Sequence, residues 1–215
     1  MHIFGGLIVF TAVALLFFLI LRSKGSIFDK SFDAYMEDDY KANQVIKISI
    51  DPSVFYEPPV DELPFRQFTD EEKEMYANLS AKQDVVLRKS KLKMIKFAAH
   101  KSNLEIKNEF GSNNLNNITT YEEHFNQYIT ALYQWAKALA ETHEPEKHED
   151  SKVILNSIAC AGGETSKAYK LLSDLYAEDG QKEELRTLYE QVLKLNLPTQ
   201  DSISAYISGK LNTIE

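Results

Sequence analysis

The sequence predicts an all-α protein in which one membrane helix precedes a stack of antiparallel helical hairpins. Three observations carry that expectation. Residues 3–21 form an uncharged apolar run. From Thr69 onward apolar residues recur at three- and four-residue spacing. Capping pairs, a glycine and a proline bound those periodic runs.

The run 3–21, which includes Ile3, Leu7, Phe10, Leu15, Phe18 and Leu21, suits the hydrocarbon core of a bilayer, which about 20 helical residues span. No Lys or Arg precedes it, and Leu19, Ile20, Leu21 and Arg22 offer no small-x-small cleavage site. A retained anchor is therefore expected over residues 1–24, in contact with membrane lipid, rather than a cleaved signal peptide. Arg22 and Lys24, then Lys30, all follow the run. The positive-inside rule predicts a single-pass protein of the cell membrane with its C-terminal domain in the cytoplasm. The one cysteine, Cys160, excludes an intrachain disulfide and agrees with a reducing compartment. It lies in an apolar helical run and reads as a buried thiol. A net charge of −8 over 215 residues argues against nucleic acid as a partner, because phosphate binding needs a basic surface.

Residues 25–68 read as an acidic, proline-rich irregular segment. Asp29, Asp33, Glu37, Asp38 and Asp39 lead to a β-like run of Val45, Ile46, Ile48 and Ile50. Pro52, Pro58, Pro59 and Pro64 then exclude a continuous helix. Phe55, Tyr56, Phe65 and Phe68 stand among them. The aromatic residues suit a strap packed on the helices that follow, or a proline-rich ligand for another protein's groove.

Residues 69–215 form the expected helical domain. Thr69 with Glu72 makes a capping box. The helix it opens is expected to run to about Lys107, with a break between His100 and Asn103. Its stretch 88–101 carries Arg88, Lys89, Lys91, Lys93, Lys96 and Lys101. That stretch reads either as a basic amphipathic helix resting on anionic headgroups or as a buried helix with its lysines in water. Residues 110–117 predict a loop, and Thr120 with Glu123 a second capping box. The helix beyond presents Tyr121, Phe125, Tyr128, Ile129, Leu132, Trp135, Ala136 and Leu139 on one side, which reads as core. Residues 143–150, HEPEKHED, approach the zinc-protease pattern H-E-x-x-H. His148 stands five residues after His143 instead of four, and Pro145 intervenes, so a polar loop with an Asp150 or Ser151 cap is expected. The sequence shows no phosphate loop, nucleophile elbow or paired cysteines, so no enzyme activity, cofactor or metal is expected.

The clearest pattern lies in residues 166–198. Tyr169, Leu172 and Tyr176 paint one face of a helix, and Leu185, Leu188, Tyr189, Val192 and Leu195 paint another. Gly180 parts the two and Pro198 closes the second. This hairpin resembles a tetratricopeptide repeat, with Tyr169, Leu172, Tyr176, Gly180 and Tyr189 on family positions. Leu185 and Val192 stand where the family has small residues, which implies wider helix spacing. One repeat length upstream, Trp135, Leu155 and Ile158 correspond to Tyr169, Tyr189 and Val192, so a second repeat is expected over about residues 132–163. A capping helix over 201–211 follows, and the resemblance covers about residues 131–211. It implies a right-handed tetratricopeptide-like stack whose concave surface binds protein segments. Asn156, Lys170, Asp174 and Arg186 are candidate partner-binding residues on that surface.

The function these features predict is a membrane-anchored cytoplasmic adaptor or scaffold for partner proteins. The alternative is a structural subunit of a larger membrane protein complex.

Overall fold

The structure, a computed structural model, describes residues 31–47, 49–97, 101–195 and 198–214. The expected anchor, with Ile3, Leu7, Phe10, Leu15, Phe18, Leu21, Arg22 and Lys24, lies outside them. Among the described residues no helix is long and apolar enough to cross a membrane. The described chain is all-α, and its one β-like feature is an isolated antiparallel bridge between Phe55 and Ile95. The chain divides into two compact units.

The smaller unit joins the chain up to Ser49 with Lys101–Leu115. Its first helix, α1, covers 31–43, where the sequence reading placed irregular chain. No proline or glycine interrupts that stretch, and Glu37 and Lys41 form an i, i+4 pair at 2.7 Å. The prolines that argue against helix begin only at Pro52. The short helix Asn103–Phe110 of this unit opens on a capping box between Ser102 and Glu105. Gly111 follows at φ 89, where a Cβ would stand 2.7 Å from the backbone nitrogen of Lys47. The expected β-like run forms no sheet among its described residues. Its backbone is instead satisfied by the asparagine-rich turn. Ser112 N donates to Val45 O at 2.7 Å, and the amides of Asn113 and Asn114 donate to Lys47 O at 2.9 and 3.0 Å.

The larger unit holds Ile50–His100 and Asn116–Glu215. The capping box of Thr69 and Glu72 is present and opens α2, Asp70–Met75. α3, Ala77–Ser90, stops well before the expected Lys107. Beyond it the chain turns extended, with Met94 and Ile95 fully buried. Tyr56 N donates to Met94 O at 2.9 Å and Ile95 N to Tyr121 O at 3.1 Å, so tertiary pairing ends the helix. The basic helix over 88–101 therefore does not form. Arg88 and Lys89 close α3, Lys93 and Lys96 lie in the extended chain, and the headgroup reading of that face loses its helix.

α4, Asn103–Phe110, belongs to the smaller unit, and α5, Leu115–Ala140, begins five residues before the predicted cap. Thr120 lies inside α5 and donates to Asn116 O at 2.8 Å, a bond one turn back that a helical threonine makes without capping. Of the predicted core stripe Phe125, Tyr128, Ile129, Leu132, Trp135, Ala136 and Leu139 are buried, and Tyr121 is half-buried. α6, Pro145–Cys160, starts at Pro145 rather than at Asp150 or Ser151. Proline at the first helical position loses no intrahelical bond, so residues 145–150 are helix and not loop. Ser151 Oγ donates to Ala136 O at 2.8 Å and fastens α6 to α5. Cys160, the last residue of α6, is exposed, contrary to the buried thiol expected there.

α7, Ser166–Glu178, and α8, Lys182–Lys194, lie where the hairpin was predicted. Gly180 adopts φ 67 in the turn between them, a conformation that costs other residues roughly 1–2 kcal/mol. α9, Gln200–Leu211, follows. The backbones approach closely between α6 and α7, α7 and α8, and α9 and both of its predecessors. Tyr169, Leu172, Leu185, Leu188, Val192, Ile203 and Ile207 fill the seam. Lys152, 3% exposed, reaches from α6 to Asp179 at 2.7 Å and Gln181 at 2.9 Å, tying the turn to the preceding helix.

Candidate functional site

The proline-rich segment 51–68 packs as a strap within the larger unit. Phe55 meets Tyr121 edge-on at 5.6 Å, and Tyr56 meets Phe125 at 5.0 Å. Phe65 stacks on Trp135 at 4.9 Å and 22°. Buried Gln83 accepts from Arg66 N at 3.1 Å and donates to Arg66 O at 2.7 Å, standing in for a neighbouring strand. Arg66 reaches Asp150 at 2.6 Å and Glu146 at 2.9 Å. Beneath it lies a cavity of about 230 Å³ walled by Phe68, Tyr76, Trp135 and Leu139. Lys147, 7% exposed, sits 3.5 Å from the Tyr76 ring and 2.6 Å from Glu144. Burial opposes its charge, but Glu144 and Tyr76 outweigh that and raise its pKa. The cations of this cavity are thus engaged by the protein's own carboxylates.

A different surface leaves polar groups available. Between α3 and α5 runs an open groove of about 510 Å³. Val85 and Ala131 give it an apolar floor. The side-chain amides of Asn126 and Gln134 and the ammonium of Lys82 line it without a hydrogen bond among the described residues. Lys89 donates to Gln127, which donates to Glu123 at 2.7 Å, so one end of the groove is closed by a relay. Free amides can donate to and accept from a peptide backbone at once, and the small Ala131 leaves room for an inserted side chain. The sequence reading did not single these residues out. Their signal was present as the polar complement of the α5 aromatic stripe, with Asn126, Thr130 and Gln134 at successive i, i+4 positions.

The four candidates named from sequence fall in two places. Lys170 and Asp174 of α7 meet α9: Tyr206 donates to Asp174 at 2.8 Å, Lys210 reaches it at 2.6 Å, and Lys170 lies 5.3 Å from the Tyr206 ring. Asn156 donates to Tyr176 OH at 2.5 Å, and Arg186 pairs with Glu183 at 2.9 Å. Asn156 and Glu183 share a shallow groove with Thr187 and Gln191.

His143, at φ 56, and His148 have ring centroids 6.3 Å apart. His148 Nε2 lies 3.1 Å from Ala140 O. Among the described residues no group of three or more His, Cys, Asp or Glu could hold a metal ion.

No family model, curated protein or solved structure matches the chain.

Proposed function

We propose that the protein is a membrane-tethered interaction module, held by residues 3–21 with its helical domain in the cytoplasm, that binds a peptide segment of a partner protein without catalysing a reaction. The observation that carries this reading is the α3–α5 groove, with its apolar floor of Val85 and Ala131 beside the free polar groups of Lys82, Asn126 and Gln134. The tetratricopeptide-like reading of α5 to α9 belongs to the same proposal. It is supported by the α7–α8 hairpin with its Gly180 turn and by the burial of Trp135 and Tyr169 at corresponding positions.

The alternative, a structural subunit covered on all sides by neighbours, requires large apolar patches. The exposed large apolar side chains of the larger unit are Met75, Leu92, Val153 and Leu193. They come singly from four separate segments, so the larger unit favours the adaptor, whereas the smaller unit exposes Phe32, Tyr35, Met36 and Tyr40 together on one helix.

A photo-crosslinking residue placed at Gln134 in the anchored protein tests the groove. The expected result is one defined crosslinked species that disappears when Ala131→Trp fills the floor. Equal crosslinking from Gln134 and from exposed Glu178, unaffected by Ala131→Trp, overturns it. Retention in the membrane pellet through carbonate extraction is expected of the anchor.

A further inference from the structure

α1 carries a row of large apolar side chains turned to solvent. Phe32, Tyr35, Met36 and Tyr40 are 54%, 53%, 50% and 67% exposed. Their spacing of three, four and eight residues from Phe32 puts them on one helical face. Glu37, Asp38 and Lys41 lie away from that face, and Asp33 borders it beside Tyr40. Asp39 is the single acid within the apolar face, and it is neutralised internally. Lys107 reaches it at 2.6 Å, and Asn43 donates to it at 3.0 Å. The Lys107 bond holds its carboxyl below the ordinary carboxylate range, so the pair stays ionic. The face therefore presents rings, a thioether and a compensated charge with Asp33 at its edge, while Glu37 is paired with Lys41 and Asp38 points elsewhere.

The chain preceding α1 identifies what covers this face. Nine residues separate the end of the uncharged run 3–21 from Ser31, the first described residue of α1. Nine residues reach at most about 30 Å when fully extended. If the run crosses a bilayer, α1 begins close to that bilayer's surface. Tyrosine, phenylalanine and methionine on one side with carboxylates on the other suit the headgroup region, where amphipathic rings settle. The four acids of α1 outnumber its one lysine, so the surface favours zwitterionic over anionic lipid.

We infer that α1 lies flat in the membrane interface, its Phe32, Tyr35, Met36 and Tyr40 face seated among the headgroups of a zwitterionic bilayer. The inference rests on the anchor reading above. It adds a second membrane contact, one made by a side of α1 instead of by the apolar run.

Spin labels in the full chain, reconstituted in phosphatidylcholine vesicles on a Cys160→Ser background, test it. Single variants Tyr35→Cys, Asp38→Cys and Leu15→Cys are labelled, and accessibility to oxygen and to a water-soluble nickel chelate is compared. The position-35 label is expected about 5–10 Å into the headgroup–acyl boundary, accessible to oxygen and shielded from nickel, with the position-38 label in water. Met36→Cys is expected to repeat the position-35 result, and at 50% exposure it leaves the fold intact. Position 35 as nickel-accessible as position 38, with position 15 shielded, overturns the inference while leaving the anchor standing. Nickel access at position 15 overturns the anchor and the inference together. Shielding of position 35 from oxygen and nickel alike means a protein surface covers the face, which also overturns it. Replacing half the lipid by phosphatidylserine is expected to raise nickel access at position 35.

Discussion

The α7–α8 hairpin and the strap 51–68 share one hydrophobic core, yet they are held in place by opposite means. The hairpin is local. Its helices are neighbours in sequence, its turn is set by Gly180 at φ 67, and its seam of Leu172, Leu185 and Leu188 closes over a few tens of residues. The strap is held at a distance. Its rings rest on α5, its backbone is bonded by Gln83 and Met94, and Arg66 reaches across 84 residues to Asp150. The strap shows that irregular chain, rich in proline, becomes ordered when aromatic side chains and borrowed hydrogen bonds replace the ladder it cannot make.

Substitutions at three positions sharpen or break this contrast. Trp135 serves strap and helices together, being 2% exposed and stacked on Phe65. Trp135→Ala is expected to destabilise the larger unit by about 3–5 kcal/mol through lost burial and a cavity, read by urea melts in far-UV circular dichroism. A melt matching wild type would remove Trp135 from the centre of the core and with it the second repeat.

Phe65→Ala should act on the strap first. The loss is expected to be about 2 kcal/mol, from a half-buried ring and its stacking. Limited proteolysis is expected to cut within 51–68 while helical circular dichroism is retained. Cleavage that instead appears first in α7 or α8 would make the strap an inseparable part of the hairpins.

Gly180→Val probes the local side. Among the described residues nothing lies within 4 Å of where its Cβ would stand, so the cost is backbone strain, roughly 1–2 kcal/mol. Gly180→Asn, which tolerates positive φ better, is expected to cost less. Equal melting of the valine variant and wild type would contradict the left-handed turn.

What the sequence reveals follows the same division. α7, α8 and α9 were legible because caps, breakers and periodicity all act within a few residues. The core stripe of α5 was legible for the same reason. The end of α3 at Ser90 was not, since no glycine or proline marks it and the cause is the pairing of Met94 and Ile95 with Tyr56 and Tyr121. Thr120 misled because a threonine three residues before a glutamate caps only when the chain before it is not already helical. Pro145 misled in the other direction, since the same residue that breaks a helix interior opens one at its first position. Of the candidate site, the polar stripe of α5 could be read from spacing. Its partner wall on α3 could not, because no local signal says that Lys82 and Val85 face Asn126 and Gln134.

The span between Arg66 and Asp150 also sets a schedule for synthesis. The ribosome delivers the strap first and its carboxylate partner 84 residues later. At about 5–20 residues per second that interval is roughly 4–17 s. For most of it Phe55, Tyr56 and Phe65 have been made before the helix that shelters them, which ends at Ala140, is complete. The nascent chain is therefore most exposed to chaperones and to misassociation at its strap, whereas α7 and α8 emerge almost together and can close as they leave the tunnel.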